Sequence, residues 1–467
     1  MKNNVCESII KSWTCREGNV NKTDELLKWI RELNNNTKVI IRDTSISDDS
    51  FWFYDDYNGE ILNRKRSFFS IIGMRYFVND DFICEQPIIE QKEIGFLGII
   101  VKEIDGVLNF LMQAKIEPGN VNCVQISPTI QATKSNFIRA HGGRLPYYFE
   151  WFENASIKGT VIYDQIQSEQ GSRFDGKRNR NIIVKLDPEI EIEVHSNYKW
   201  MTLGQLKEFS KIDNLVNMDT RTVLSGLPLI LNKEKNTDEN SCILDYFNDK
   251  YLYNSIFSSN ESEDLTNAIS LINEYKMKND ISKIPVPLNQ LVEWYVNENG
   301  IFCKKESDYE VNFYDIEIEG REVQKWSQPL FKAKKQGLFV LFTKVVAGKR
   351  KYLISLKPEI GCFDKVEFGP SIQTFSETLA NEKQFKILFE NNINKGNKVL
   401  NDVILSEEGG RFYHEQNRNV IIEIEENELN DLPYGYIWVN YATLNNLCMF
   451  NNYLNIQLRS LMSLIDL

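Results

Sequence analysis

The chain has 467 residues, more than one hydrophobic core usually supports, so two domains or one domain built from two halves are expected. Hydrophobic residues make up 42% and charged residues 26%, which is typical of a folded globular protein and excludes a disordered one. The formal net charge of -12 argues against a nucleic-acid or membrane-surface binder, because such proteins usually carry a broad basic face.

The cysteines and the N-terminus bear on location. The eight cysteines include no CxxC pair, which is typical of reduced thiols in a cytosolic protein. The first residues, MKNNVCESIIKSW, lack the apolar stretch of a signal peptide, and no run of about eighteen apolar residues is available for a membrane span. We therefore expect a cytoplasmic protein without a membrane partner.

In chain order, the first strong pattern is FLGIIVKEIDGVLNFLMQAKI at 96–116, which alternates around Asp105-Gly106 and predicts a β-hairpin. The segment PYYFEWFENA at 146–155 has apolar residues spaced by three and four, and so has 203–227; both predict helices. Between them, NIIVKLD at 181–187 predicts a strand.

The second half repeats this order. After the polar stretch LNKEKNTDENS at 231–241, the segment 338–358 predicts a hairpin turning at Gly348, and NVIIEIE at 419–425 predicts a strand. Strands and helices do not alternate regularly. We therefore expect an α+β fold with a mixed or antiparallel sheet in each half, flanked by helices.

The two halves are copies of one unit. At an offset of 242, residues 86–133 align with 328–375 without a gap, and 14 of 48 positions are identical. Beyond position 133 the offset falls to 238 and stays there. A period this long indicates a duplicated domain and not a solenoid. The expected boundaries are 1–232 for an N-terminal module and 233–467 for its repeat.

One sequence motif, called the phrase below, occurs in both halves. QSEQGSRFDGKRNRN at 167–181 and LSEEGGRFYHEQNRN at 405–419 share eight of fifteen residues. Guanidinium groups beside asparagine amides suit a diphosphate and a base or sugar edge, which predicts two nucleotide sites. A structural alternative remains open, since a Ser-x-x-Gly turn with a buried Phe174 or Phe412 also joins a strand to a loop. The arginines and asparagines concerned are Arg173, Arg180, Asn179 and Asn181, with Arg411, Arg418, Asn417 and Asn419 in the second copy.

The change of offset marks an asymmetry. The first half contains NFIRAHGGRLP where the second offers only ETLANEKQ, so one copy alone carries His141 between Arg139 and Arg144. Histidine suits proton transfer near neutral pH, and the two glycines after it allow close approach to a ligand. An exposed loop turn explains the same residues equally well. We expect the first half to be catalytic.

Motifs for bound cofactors are absent from the sequence. It contains no P-loop, GxGxxG, HExxH or GxSxG motif and no Cys/His pattern for zinc. We therefore expect no metal and no organic cofactor, and a reaction that draws on the reactivity of the substrate itself.

The motifs resemble those of one known family. KIEPGNVNCVQISPTIQATKSNFIRAHGGRLPYYFEWF at 115–152, together with both copies of the phrase, is similar to the NDP-hexose 2,3-dehydratases. The resemblance implies elimination of water across C2–C3 of dTDP-4-keto-6-deoxy-D-glucose, giving a 3,4-diketo-2,6-dideoxy sugar nucleotide. It also implies two modules similar to the Nudix hydrolase fold, a homodimer and a second nucleotide pocket. Neither half contains a Nudix box, which disfavours metal-dependent pyrophosphate hydrolysis.

The reaction implies roles for particular side chains. His141 is the candidate for proton transfer, with Glu169 and Tyr147 as further candidates for a base and a hydrogen-bond donor. For Tyr147 simple packing of a helix face is an equal alternative. Substrate binding is assigned to Arg139, Arg144, Arg173, Arg180, Asn181, Gln125 and Gln131. The second nucleotide site is assigned to Arg411, Arg418, Asn419 and Gln373.

Two other functions compete with dehydration. One is a sugar-nucleotide-binding protein without catalysis, which would be favoured if the HGG loop lay far from both sites. The other is a Nudix-like nucleoside-diphosphate hydrolase, which needs a glutamate-rich metal helix that the sequence does not contain.

Overall fold

A computed structural model describes residues 2–134, 145–229, 243–257, 261–319, 323–374, 382–396 and 398–467. Within these ranges no helix is long and apolar enough to cross a membrane. The polar stretch 231–241, which holds the expected boundary at 232/233, lies outside the described residues, as do His141, Arg139 and Arg144.

The first half contains helices at both ends and strands between them. The helices are Lys2–Thr14, Thr23–Asn36, Phe149–Glu153, Ala155–Lys158, Leu203–Ser210 and Met218–Leu224. The strands are β1 Val39–Thr44, β2 Trp52–Asp55, β3 Glu60–Asn63, β4 Ser70–Val78, β5 Asp81–Glu90, β6 Gly95–Ile104, β7 Val107–Ile116, β8 Val124–Ser127, β9 Ile130–Ala132, β10 Thr160–Ser168, β11 Arg178–Leu186 and β12 Tyr198–Thr202.

The second half has matching elements at the offsets of the sequence repeat. Its helices are Lys250–Ile256, Glu261–Lys278, the 3₁₀ turn Leu288–Gln290, Glu382–Asn394, Tyr441–Leu447 and Ile456–Leu464. Its strands are β13 Ile281–Val286, β14 Trp294–Asn297, β15 Gly300–Cys303, β16 Tyr309–Ile318, β17 Lys325–Ala333, β18 Leu338–Val346, β19 Lys349–Lys357, β20 Glu367–Gly369, β21 Ile372–Gln373, β22 Val399–Ser406, β23 Phe412–Tyr413, β24 Gln416–Glu423 and β25 Tyr436–Asn440.

The described strands form four sheets. Each half has one mixed sheet, in the order β10-β11-β6-β7-β12 in the first half and β22-β24-β18-β19-β25 in the second. In each of them one pair is parallel, β6 with β11 and β18 with β24. Two smaller sheets contain β13-β4-β3-β2 and β14-β15-β16-β17-β23. The expected α+β class with mixed sheets is confirmed.

The two smaller sheets exchange a strand between the halves. Strand β1 from the first half pairs antiparallel with β16, from Val39 opposite Ile318 to Thr44 opposite Phe313. Its counterpart β13 pairs antiparallel with β4, from Ile281 opposite Val78 to Val286 opposite Gly73. Each half therefore completes a sheet of the other.

A shared hydrophobic core lies between the two mixed sheets. It joins apolar side chains of both halves, including Phe110, Leu206, Tyr352 and Leu458. The outer face of each mixed sheet is covered separately, by Phe152 of Phe149–Glu153 in one half and by Phe385 of Glu382–Asn394 in the other. The folding of each half thus depends on a hydrophobic core that it shares with the other half.

Local sequence signals account for many of the elements. Asp105 and Gly106 both have positive φ (48° and 72°), as a type I′ turn requires, and Ala347 and Gly348 repeat this geometry. Both predicted hairpins are confirmed, and so are the strands at 181–187 and 419–425.

The helical predictions are only partly correct. The predicted helix at 146–155 begins at Phe149, because Tyr148 adopts φ 67°, and it ends at Glu153. The stretch 203–227 forms two helices, the second capped by the Asn217 side chain, which accepts a hydrogen bond from the Thr220 amide.

Candidate active site

The repeated phrase forms two loops that cross between the halves. We call residues 168–177 the Arg173 loop and residues 406–415 the Arg411 loop. The Gly119 amide donates to the Gly409 oxygen at 2.7 Å, and the His414 amide donates to the Gly119 oxygen at 2.9 Å. The Arg411 loop is thereby tied to the first half.

The Arg173 loop makes the same contacts in the opposite direction. The Gly361 amide donates to the Gly171 oxygen at 2.7 Å, and the Gly176 amide donates to the Gly361 oxygen at 2.8 Å. Glycine is required at 119 and 361 by space, because an added Cβ at either would clash with backbone atoms of the crossing loop. The phrase is repeated because each copy holds the other half.

Two buried arginines strengthen this crossing. The Arg221 guanidinium donates to the Ser406 carbonyl oxygen at 2.8 Å, and the Arg459 guanidinium donates to the Ser168 carbonyl oxygen at 2.5 Å. They are 1% and 0% exposed. Each therefore fixes the start of the loop that belongs to the opposite half.

A cavity of about 140 Å³ lies where the Arg411 loop meets the first half. We call it the carboxyl cavity. Polar side chains from both halves line it, namely Gln91, Lys115, Glu117, Gln131, Thr133, Glu169, Lys177, Asn179, Asp219, Glu408 and Arg411. The sequence predicted Glu169 and Gln131 at a catalytic site, and the structure brings both to this cavity.

Glu169 is the carboxyl group best placed for proton transfer. It is 6% exposed, and its Oε1 accepts a hydrogen bond from the Asn179 amide. Its Oε2 is buried and has no hydrogen-bond partner among the described residues. Burial and the neighbouring Glu408 raise the pKa of Glu169 to about 7, against the partial compensation of Lys177. A carboxyl group with such a pKa exchanges protons readily at neutral pH.

Asp219, Glu408 and Lys177, which also line the cavity, have shifted pKa values too. Burial, Glu169 and Glu408 raise the pKa of Asp219 well above its usual value. Burial also raises the pKa of Glu408 and lowers the pKa of Lys177 to about 8. The Lys177 ammonium donates to the Glu93 carbonyl oxygen at 2.6 Å, which leaves two of its protons for other acceptors.

Arg411 lines the carboxyl cavity, whereas Arg418, Asn419 and Gln373, which the sequence assigned with it to the second nucleotide site, do not. Its guanidinium lies 4.4 Å from the ring centroids of Phe68 and Phe69, and it donates to the Gln91 side chain at 3.2 Å. Sequence proximity grouped Arg411 with Arg418 and Asn419, but the crossing of the loop separates them.

Arg173 occupies the corresponding place in the second half. Its guanidinium lies 4.0 Å from the Tyr309 ring centroid and interacts electrostatically with Glu359 and Glu415. It does not line the carboxyl cavity. Arg173 therefore lies apart from Glu169, with which the sequence grouped it.

A wider cleft of about 770 Å³ adjoins the carboxyl cavity, since Gly95 lines both. We call it the outer cleft. Lys92, Lys134 and Arg180 supply its positive charge. Arg180 is held by Asp164 through two hydrogen bonds of 2.8 and 2.6 Å, and Arg418 is held by Asp402 in the same way.

The remaining predicted polar residues make internal hydrogen bonds. The Gln125 side chain donates to the Ser406 hydroxyl at 2.8 Å, and Asn181 donates to the Thr222 hydroxyl at 3.3 Å. Gln131 accepts from the Ser127 hydroxyl at 2.8 Å. In the second half, Gln373 donates to Glu359 at 3.0 Å and Asn419 donates to the Asn417 carbonyl oxygen at 2.9 Å.

Tyr147 lies outside both cavities. It is 53% exposed, and its ring stacks against His195 with centroids 3.9 Å apart. The neighbouring Tyr148 is the buried member of the pair, and its hydroxyl donates to the Glu193 carbonyl oxygen at 2.8 Å.

The second half holds a related group that we call the second cluster, consisting of Glu359, Glu407 and Glu415 with Arg173. Burial raises the pKa of Glu407 to about 8 and that of Glu359 to about 7. Of the charged residues that line the carboxyl cavity, three have a repeat counterpart of different charge, namely Lys177 against Glu415, Asp219 against Gln457 and Glu408 against Gln170. Comparing charges at aligned positions would have revealed Lys177, Asp219 and Glu408, which the sequence reasoning missed.

Metal binding finds no support in the described ranges, where no three His, Cys, Asp or Glu side chains are arranged to hold an ion. The carboxyl cavity gathers carboxyl, ammonium and guanidinium groups from both halves, as the proton-transfer site of an enzyme does. The duplicated α+β fold places that cavity beside a cleft with cationic side chains.

Comparison with known proteins agrees with this class. A family model described as NDP-hexose 2,3-dehydratase matches residues 23–227 and 265–465. The matched stretches begin 242 and end 238 residues apart, which are the offsets of the repeat. The chain belongs to the NDP-hexose 2,3-dehydratase family.

Several curated relatives share one description, dTDP-4-dehydro-6-deoxy-alpha-D-glucopyranose 2,3-dehydratase. The chain is 34% identical over 448 residues to that of Streptomyces violaceoruber, covering 94% of this chain and 95% of the relative. It is 36% identical over 420 residues to that of Saccharopolyspora spinosa, covering 89% and 85%. It is 31% identical over 457 residues to that of Amycolatopsis orientalis, covering 95% and 90%.

Proposed function

We propose that the protein removes water across C2–C3 of dTDP-4-keto-6-deoxy-D-glucose, giving dTDP-3,4-diketo-2,6-dideoxy-D-glucose for deoxysugar biosynthesis. The names of the relatives support this substrate. The observation that carries the proposal is Glu169, a buried carboxyl group in a cavity, one oxygen of which has no hydrogen-bond partner in the part of the chain that the structure describes.

The substrate's own ketone makes the reaction possible. A base takes the proton from C3, and the electron pair of that bond forms a C3–C4 double bond while O4 takes the negative charge. The electron pair on O4 then re-forms the C4–O4 double bond. The pair of the C3–C4 double bond moves to form a C2–C3 double bond, and the C2–O bond breaks. The oxygen leaves as water after accepting a proton, and the enol becomes the ketone by moving a proton from O3 to C2. No redox carrier enters this balance.

Glu169 is the proposed base at C3. Its free Oε2 is the atom that accepts the proton, and the Asn179 amide holds the other oxygen in place. Lys177 is the proposed donor to O4, because its ammonium lines the same cavity and its lowered pKa allows a proton to be shared. Both groups act in a water-poor site, where such interactions are strengthened.

The outer cleft is the proposed place for the nucleotide. Lys92, Lys134 and Arg180 present cationic groups there, and they suit the two phosphates. Phe96 and Phe149 offer apolar surface to the base or sugar. The Gly95 backbone joins the cleft to the carboxyl cavity, so the diphosphate would lie outside while the hexose points inward.

Several assignments made from the sequence remain proposals. His141, Arg139 and Arg144 lie outside the described residues, and we retain them for proton transfer and for the diphosphate. Tyr147 is retained as a hydrogen-bond donor only if it leaves the His195 ring on substrate binding. Gln125, Gln131 and Asn181 are retained as residues that shape the cavity through their internal hydrogen bonds.

The finer features of architecture are also proposals. We infer two Nudix-like modules divided near residue 232, a homodimer, a cytoplasmic location, no nucleic-acid partner and no cofactor. A second nucleotide site in the C-terminal half would use Arg418, Asn419 and Gln373, with Arg173 in the place that Arg411 was expected to fill. Equilibrium sedimentation and dTDP titration would test the dimer and the number of sites.

The activity is tested by incubating the purified protein with the 4-keto sugar nucleotide in D₂O, without added metal or NADPH. Loss of the C2 hydroxyl, followed by NMR and mass spectrometry, is the expected result. Cleavage of the diphosphate to dTMP would identify a hydrolase instead. Tight binding with no change in the sugar would identify a protein that only binds sugar nucleotides.

A further inference from the structure

The two crossing loops differ at one chemically decisive position. Gln170 in the Arg173 loop and Glu408 in the Arg411 loop occupy the same place in SEQGSRF and SEEGGRF. Because each loop crosses into the opposite half, Glu408 lines the carboxyl cavity of the first half, whereas Gln170 contacts Glu407 in the second.

In the second half the carboxyl group is closed off by amides. The Gln170 side-chain amide donates to Glu407 Oε2, and the Asn417 amide donates to Glu407 Oε1 at 2.5 Å. Both oxygens are occupied by groups that neither gain nor lose a proton near neutral pH. Amides therefore bind both oxygens of Glu407, while burial and the neighbouring Glu415 carboxyl group raise its pKa.

In the first half the same geometry contains two carboxyl groups. The Asn179 amide again binds one oxygen of Glu169, but the residue in the amide's place is Glu408. Within the described ranges, Glu169 Oε2 is buried and has no hydrogen-bond partner. Glu408 is fixed by its own loop, since the Gly410 amide donates to its Oε1 at 2.8 Å. The two carboxyl groups line one cavity that is large enough for a few ligand atoms.

We propose that Glu408 is a second catalytic residue, contributed by the C-terminal half, which donates the proton to the departing C2 hydroxyl. This inference rests on the proposed function. Two carboxyl groups in one buried site ionise in turn, so one of them is a carboxylate while the other still carries its proton. The pair shares one proton, and in the reactive state that proton lies on Glu408, so that ionised Glu169 takes the C3 proton and Glu408 releases its own to the oxygen of C2.

The proton balance closes over one cycle. Glu169 gains the proton from C3, Glu408 loses one to the hydroxyl, and water leaves. Transfer of one proton from Glu169 to Glu408, directly or through the water produced, restores the starting state. In the second cluster the Gln170 amide stands where Glu408 stands in the first half, so only the first half has a carboxyl group at the position of the acid.

The test is Glu408→Gln, which gives the Arg411 loop the amide that the Arg173 loop carries naturally. The elimination rate should fall by about 10² to 10⁴. Exchange of the C3 hydrogen with D₂O should persist, because Glu169 is intact and only departure of the hydroxyl is blocked. Glu408→Asp should recover part of the elimination rate.

The matched control is Glu415→Gln, which replaces a buried carboxyl group of the same loop that belongs to the second cluster. It should keep near wild-type turnover. Titration with dTDP and thermal unfolding are measured for all three variants, so that a folding defect is recognised. If Glu408→Gln is unstable, the comparison of Glu408→Asp with Glu415→Gln decides the question.

Three results would overturn the inference. The first is elimination by Glu408→Gln within a few fold of wild type. The second is equal loss of C3 exchange and elimination in a variant that still binds dTDP, since Glu408 would then act on the base. The third is loss of turnover in Glu415→Gln as large as in Glu408→Gln. If the wild-type protein eliminates nothing, the failure belongs to the proposed function instead.

Discussion

Replacing Gly119 by alanine should weaken the contact between the halves. The added Cβ would lie 2.6 Å from the Phe412 carbonyl carbon and 2.8 Å from the Gly409 oxygen, and it would overlap the Phe412 oxygen. These are backbone atoms, which cannot rotate away as a flexible side chain can. The loop itself must move, and the two hydrogen bonds of Gly119 to this loop lengthen with it.

The expected loss follows from these contacts. Overpacking a tight site costs about 1–3 kcal/mol, and each weakened hydrogen bond costs about 1 kcal/mol. The free energy of unfolding should therefore fall by about 3–5 kcal/mol. Turnover should fall as well, because the displaced loop carries Glu408 and Arg411 into the carboxyl cavity.

Gly348→Ala is the matched control. Gly348 has a positive φ of 74° but nothing within 4 Å of an added Cβ. Its replacement should cost only the backbone strain, about 1–2 kcal/mol, and leave turnover unchanged.

Urea unfolding followed by tryptophan fluorescence, with turnover measured in parallel, compares the two variants. Equal stability of Gly119→Ala and Gly348→Ala would refute the claim that close backbone approach decides residue 119.

Three further predictions concern Glu169, Arg459 and His141. Glu169→Gln should lower turnover by about 10² to 10⁴. Burial and Glu408 raise the pKa of Glu169 to about 7, while Lys177 and Arg459 act to lower it. The folded state therefore holds a proton on Glu169 that the unfolded state loses above about pH 4.5. The contribution of Glu169 to wild-type stability thus falls as pH rises from about 4.5 to 7. In thermal unfolding, Glu169→Gln should be more stable than wild type at pH 8 but not at pH 4. An equal difference at the two pH values would contradict this. Arg459→Met should lower the free energy of unfolding by about 3 kcal/mol or more, because the carbonyl oxygens of Ser168 and Leu454 lose their donor. An unchanged midpoint of urea unfolding would contradict this prediction. His141→Ala should lower turnover by about 10² to 10⁴ while dTDP binding persists, and near-normal turnover would remove His141 from the mechanism.

The fold was predictable where the signal is local. A turn such as Asp105-Gly106 specifies its conformation within two residues, and both hairpins form as expected. The exchange of β1 and β13 was not predictable, because the sequences VIIRDT and ISKIPV would suit the edge of either sheet. Which edge each strand pairs with depends on the packing of the two halves against each other. The helix at 146–155 was overestimated because the conformation of Tyr148 is not visible in apolar spacing.

The candidate site was predictable to a similar degree. Glu169 was found because it lies in the repeated phrase. Arg411 was placed with its sequence neighbours, whereas the crossing of its loop brings it to the opposite half. Glu408 was missed because identity between the repeats drew attention to what they share. Glu408 is instead one of the lining residues whose charge differs from that of its repeat counterpart.

The exchanged strands affect how the protein is made. Val39–Thr44 pairs with Tyr309–Ile318, so its partner is translated only after about 270 further residues. At a ribosomal speed of about 5–20 residues per second, the nascent strand waits roughly 14–55 s with its edge unpaired. Such an edge is prone to association with other chains, so efficient production should depend on chaperones that cover it during synthesis.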